Sequence, residues 1–253
     1  MLENIKTERF TFCEIISNSW EIVKARFAAL FSLTVIIGFP VAFFSCLCGY
    51  LYGYGYFPGA TAAGFISSLL GAVIYVLLVM AIAVVVEKTI EGESIAYGAA
   101  LRESYSRWLD SLGTSLLAGI IIFLLLLLLI IPGIIWSVYY AFFLYVVALR
   151  GIAGKKALDY SKDLVKGQWR RVFLYFLGFG VLTGLPAALI NAVCALVLPG
   201  LLLGTVVVQI LLAAVSLAVY TFYCVAATVF FLNLDYLKAA EQAKPIGLKV
   251  IKG

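Results

Sequence analysis

The chain contains no histidine, and charge is scarce: 18 Lys/Arg and 13 Asp/Glu make up only 12% of its 253 residues. Without histidine there is no Ser-His or Cys-His catalytic pair, and the commonest metal ligand is missing. The five cysteines, Cys13, Cys46, Cys48, Cys194 and Cys224, are odd in number and scattered. Zinc wants clustered ligands, so these cysteines read as small buried hydrophobes. Neither a glycine-rich phosphate loop after a strand nor a sustained basic tract for nucleic acid occurs. No cofactor is expected.

What is present is apolar. Hydrophobic residues make up 64% of the chain, and the mean hydropathy is +1.11. All charges fall in four clusters, 1–26, 87–110, 150–171 and 235–252, separated by the charge-free stretches 27–86, 111–149 and 172–234. A charge in hydrocarbon costs about 2.5–3.5 kcal/mol even on lenient insertion scales. One crossing needs about 20 apolar residues, so each gap has room for two. The clusters carry four, three, seven and four basic residues, and basic loops stay on the cytoplasmic side. If all four do so, each gap crosses an even number of times.

The expected fold is therefore all-α, a polytopic integral membrane protein of six transmembrane helices in three hairpins. The spans read as 28–50, 62–86, 112–131, 134–149, 172–197 and 203–234. A single membrane domain fills 1–253, with a cytoplasmic amphipathic segment at 1–26, the six-helix bundle at 27–237 and a cytoplasmic tail at 238–253. The charged start lacks the apolar core of a cleaved signal peptide. In the middle gap, a tight turn at Pro132-Gly133 separates two short helices. The rival is one kinked helix, which would place the basic cluster 150–171 outside. The uncharged, Tyr-rich segment Gly49–Pro58 reads as an interfacial belt, with a ligand mouth as the alternative.

The pattern repeats. Ser19-Trp20-Glu21-Ile22-Val23-Lys24 followed by Phe27 aligns with Ser161-Lys162-Asp163-Leu164-Val165-Lys166 followed by Trp169. Ala100-Leu101 and Ser104 align with Ala157-Leu158 and Ser161. Prolines then interrupt the following helix at Pro40, Pro132 and Pro186. Three copies of a cytoplasmic amphipathic helix plus a membrane hairpin account for this. In the third, Leu158, Ser161, Val165 and Trp169 share a face; in the second, Leu101, Tyr105, Trp108 and Leu112 do. Basic amphipathic helices of this kind lie in the interface plane. Lys155, Lys156, Arg170 and Arg171 are the candidate contact for anionic lipid, against the plainer reading of a topology-setting linker.

The run Ile131-Pro132-Gly133-Ile134, an aromatic helix, and then Gly154, Ala157-Leu158, Ser161, Leu164-Val165-Lys166-Gly167 and Trp169 resembles a known pattern. It is similar to the membrane domain attached to some bacterial glycerophosphodiester phosphodiesterases and to the YciC-like membrane proteins. The resemblance is sharpest over 131–172. It implies a prokaryotic cell-membrane protein and little chemistry, because catalysis in those fusions belongs to a soluble domain with no counterpart in these residues.

No charge falls at mid-membrane, where proton relays hold one. Glu87 and Asp235 sit at helix ends, where they can reach water. Asn191 and Gln209 lie equally far from Gly200 and can hydrogen-bond across the last hairpin. Alternatively they line a polar cavity with Asn233, Thr221 and Ser216. The functional expectation is a non-catalytic scaffold or accessory module in envelope or lipid homeostasis. Its partners are membrane lipids and a protein partner or second copy, with no nucleic acid. The alternative is a transporter or channel for a small or amphipathic solute.

Overall fold

The structure is a computed structural model that describes residues 5–6, 8–41, 43, 60–197 and 202–243, with some helical side chains left out. Among the described residues it is helical, without strands. Four helical stretches are long and apolar enough to cross a membrane: Gly64–Ile90, Trp108–Leu128, Ile130–Arg150 and Ala213–Gln242. A fifth arises if Phe12–Ala25 and Phe27–Val41 count as one bent element. The segment Gly49–Pro58 lies outside the described residues.

Helix α1 (Phe12–Ala25) begins where Thr11 and Glu14 cap each other. The Thr11 N–H donates to Glu14 Oε2 at 2.7 Å, and the Glu14 N–H to Thr11 Oγ1 at 3.4 Å. Its buried stripe is Ile15, Asn18, Ser19 and Ile22. At Arg26 the chain turns by 87° into α2 (Phe27–Leu33), which continues through a π-helical stretch, Thr34–Gly38. Helix α3 (Ala60–Ile90) ends at Gly92, whose φ of 82° lets the Glu93 N–H return to Lys88 O at 2.8 Å.

After α4 (Tyr97–Ser106) and a break at Arg107, α5 (Trp108–Leu128) meets α6 (Ile130–Tyr139) at an extended residue, Leu129. The turn therefore comes three residues before the expected Pro132-Gly133. Pro132 sits in the first turn of α6, where a missing N–H leaves no bond unmade. Gly133 does its work in packing, since a Cβ there would stand 3.0 Å from the Leu126 backbone Cα. Ala118 of α5 and Tyr140, the residue after α6, share one buried cluster with Leu158. Short α7 (Phe143–Tyr145) runs on as a π-helical stretch, Val146–Arg150.

Helices α8 (Lys155–Val165), α9 (Trp169–Val197) and α10 (Leu202–Ala243) complete the chain. Helix α9 continues past position 186, so the expected interruption there does not occur. In α8 the buried face is Ala157, Leu158, Ser161, Leu164 and Val165, as the spacing suggests. In α4 it is Ala100 and Ser104, while Tyr105 is 65% exposed and stacks on Trp108. Of the stripe Leu101, Tyr105, Trp108 and Leu112 only Tyr105 is exposed, and Leu101 packs partly buried against the core.

Burial separates inner helices from outer ones. In α3, every residue from Leu78 to Val86 is buried, and in α10 every residue from Cys224 to Asp235. Helices buried on all faces form a core. Phe142 lies at its centre, against Tyr145, Phe176, Phe230 and Phe231, with centroids 5.5–6.2 Å apart.

Candidate functional site

Glu87, Arg150 and Asp235 are each the first charged residue after one of the three charge-free stretches. The fold brings them together where α3, the π-helical end of α7 and α10 meet. Arg150 donates from Nη1 to Glu87 Oε1 at 2.7 Å. From Nε and Nη2 it donates to Asp235 Oδ2, at 2.9 and 2.7 Å. The Tyr160 hydroxyl of α8 donates to Asp235 Oδ1. Asp235 is 5% exposed, so desolvation would be costly without this fork of donors. Burial first, and then the Asp235 hydrogen bond and charge, push the Tyr160 phenol up to about 12.

Both Asp235 oxygens are engaged, and Arg150 is shared between two carboxylates. The arrangement ties α3, the π-helical stretch Val146–Arg150, α8 and α10 together. Sequence reasoning placed Glu87 and Asp235 at helix ends, but did not see Arg150 as their partner. The available signal was positional: one charge closes each apolar stretch, and the three are of mixed sign.

A second set of arginines ties the junctions between surface helices and spans. Arg26 donates to Glu93 O at 2.8 Å and to Thr89 Oγ1 at 3.2 Å. Arg107 donates to Ala148 O. Arg171 donates to Phe10 O, and its guanidinium lies over the Tyr175 and Phe230 rings at 5.3 and 5.7 Å. Of the four residues expected to meet anionic lipid, Arg171 is thus held inside the fold. Lys155, Lys156 and Arg170 are exposed. Trp108 and Trp169, the first residues of α5 and α9, make matching bonds: their indole N–H groups donate to Val73 O and Ile135 O, each at 3.2 Å.

The side chains of Asn191 and Gln209 lie outside the described residues. Their suggested companions are spread out. Asn233 is spent on the N-terminal segment, accepting from Phe10 N and donating to Ile5 O and Glu8 O. Thr221 hydrogen-bonds Thr34 at 2.7 Å, and Ser216 borders a cavity with Tyr75 and Tyr220. Cys13 is exposed and Cys224 buried, both as free thiols; Cys46, Cys48 and the Cys194 side chain lie outside the described residues. Among the described residues, no three His, Cys, Asp or Glu side chains stand close enough to share a metal ion.

Residues 57–234 match the model of a family described as a domain of unknown function, DUF7847. The chain belongs to that family. The match takes in Glu87 and Arg150 of the ion cluster, and Asp235 follows its last position. No curated protein matches, and no solved structure does.

Proposed function

We propose that this DUF7847 protein is a non-catalytic membrane module, a scaffold or accessory factor in envelope or lipid homeostasis. It would sit in the cell membrane of a prokaryote as six spans in three hairpins, with both termini cytoplasmic. The charge clusters support that orientation. The right-angled turn at Arg26 and the matching bonds of Trp108 and Trp169 support a threefold unit of surface helix plus hairpin. The likeness to membrane domains fused to glycerophosphodiester phosphodiesterases points the same way, towards a membrane part that serves chemistry done elsewhere.

One observation carries the reading. The layer formed by Leu78–Val86 and Cys224–Asp235 is buried throughout, and its large side chains are apolar. A solute pathway would have to cross that layer, and interiors packed like this hold few voids wider than a water molecule. Single cysteines at Met80, Val84 and Val229, in a variant without native cysteines, are expected to resist membrane-impermeant thiol reagents from both sides. Cysteines at Glu91 and Lys156 label from the cytoplasmic side. Labelling at Val84 or Val229 would instead establish a water-filled path and the transporter reading. Labelling of Lys156 from outside would end the six-span topology.

A further inference from the structure

A cavity of about 370 Å³ lies between α3 and α10, lined by Tyr75, Ala213, Ser216, Leu217 and Tyr220. Its size falls in the range of small-ligand sites, and its wall is predominantly apolar with three hydroxyl-bearing residues. Tyr75 stands twelve residues before Glu87 and Tyr220 fifteen before Asp235. Those intervals correspond to about 18 and 22 Å along the helices. Against a hydrocarbon core of about 30 Å, the cavity lies in the leaflet away from the ion cluster. Nearby in sequence, Leu69, Leu70 and Ile74 of α3 and Val215 of α10 are exposed and apolar. Hydrocarbon is the medium they suit.

The back wall depends on a backbone irregularity. The π-helical stretch Thr34–Gly38 ends on a glycine, and a Cβ there would come within 2.7 Å of Leu217 Cδ2. Leu217 also lines the cavity, so the bare Gly38 backbone leaves it room to stand back. π-Helical turns within helices often accompany functional sites. Thr221, the residue after Tyr220, hydrogen-bonds Thr34 at 2.7 Å. The Tyr75 and Tyr220 rings meet edge to face at 5.4 Å.

We propose that this cavity seats one acyl chain of a phospholipid from that leaflet, held by its apolar wall. The proposal rests on the membrane placement argued above, and it assigns the lipid contact to the bundle wall instead of the basic surface helices. The full chain would be reconstituted in phosphatidylethanolamine–phosphatidylglycerol vesicles containing a trace of phosphatidylglycerol with a photoreactive diazirine on one acyl chain. After irradiation, labelled positions would be read by peptide mass spectrometry. Labelling at 69–76 and 213–220 is expected to exceed that on lipid-facing 116–128 of α5 by about tenfold.

Ala213→Trp, which fills the cavity, should remove the excess and leave labelling of α5 unchanged. Gly38→Ala, which presses on Leu217 without touching the mouth, should reduce it. Even labelling of both regions would mean ordinary annular lipid and would overturn the proposal, as would an excess that survives Ala213→Trp. Should both variants fail to fold, the wild-type ratio alone decides. The thiol test reads the packed layer and this one the opposite leaflet, so either conclusion can fail without the other.

Discussion

Helices α10 and α5 are both long, apolar and free of charge along their middles, yet they occupy opposite environments. Of their most apolar stretches, 61% is buried in α10 and only 17% in α5. In α5 the residues Leu116, Ile120, Phe123 and Leu127 are half to three-quarters exposed. In α10, Phe230 and Phe231 are fully buried. Lipid tails are as apolar as a protein core, so hydropathy gives both helices the same signature. What distinguishes them is where polar groups end up. Towards its C-terminal part α10 holds Asn233 and Asp235, and both are hydrogen-bonded by partners from other elements. The C-terminal end of α5 presents a run of Leu and Ile and needs none.

The comparison is broken most severely at the ion cluster. Arg150→Met leaves Glu87 and Asp235 without a counter-charge and should cost about 3–5 kcal/mol, read as a lower unfolding temperature in detergent. Adding Glu87→Gln and Asp235→Asn should recover most of that loss. An unchanged melting profile for the single variant would mean that the cluster is solvated and holds nothing.

The next effect sets the core against the exposed face of α5 directly. Phe142→Ala should cost about 3–5 kcal/mol, because the cavity it leaves is walled by aromatic rings. Phe123→Ala on α5 should stay within about 0.5 kcal/mol. Equal losses would show that α5 is covered by protein, as in an oligomer. A smaller effect is expected at the contact between α5 and α6. There Gly133→Val drives new atoms into Leu126 and should cost about 1–3 kcal/mol, measured in the same unfolding series.

The smallest effect is a pH dependence. The Tyr160 phenol ordinarily titrates near 10 and is pushed up to about 12 in the fold. The folded state therefore favours the protonated form. Its contribution is complete below pH 10 and is lost as pH rises towards 12. Tyr160→Phe should flatten that part of the stability curve. A variant that keeps the wild-type slope would assign the slope to another group.

Much of this architecture was readable in advance, because charge is excluded from hydrocarbon and so marks where spans end. The apolar stretches, the break in the middle gap and the surface helix α8 followed from that rule. Other features needed the fold. The turn at Leu129 was misplaced onto Pro132-Gly133, since proline and glycine signal a turn equally well when they serve a first turn and a close contact. On α4 Leu101 packs against the core while Tyr105 of the same stripe is exposed, because a bulky apolar residue suits an apolar surround as readily as a core. Arg171, one of the four candidates for contact with anionic lipid, clasps the Phe10 carbonyl 161 residues away, a contact that local spacing cannot signal.

Charge spacing and hydropathy by themselves determined that this chain is helical, apolar and divided into three stretches, because the cost of burying charge is local and can be counted along a sequence. Only the tertiary structure decided which helices are inside, that one charge from each stretch joins a single cluster, and that a cavity opens opposite it. Those are facts about neighbours distant in sequence, and a medium as apolar as the core leaves no trace of them in composition.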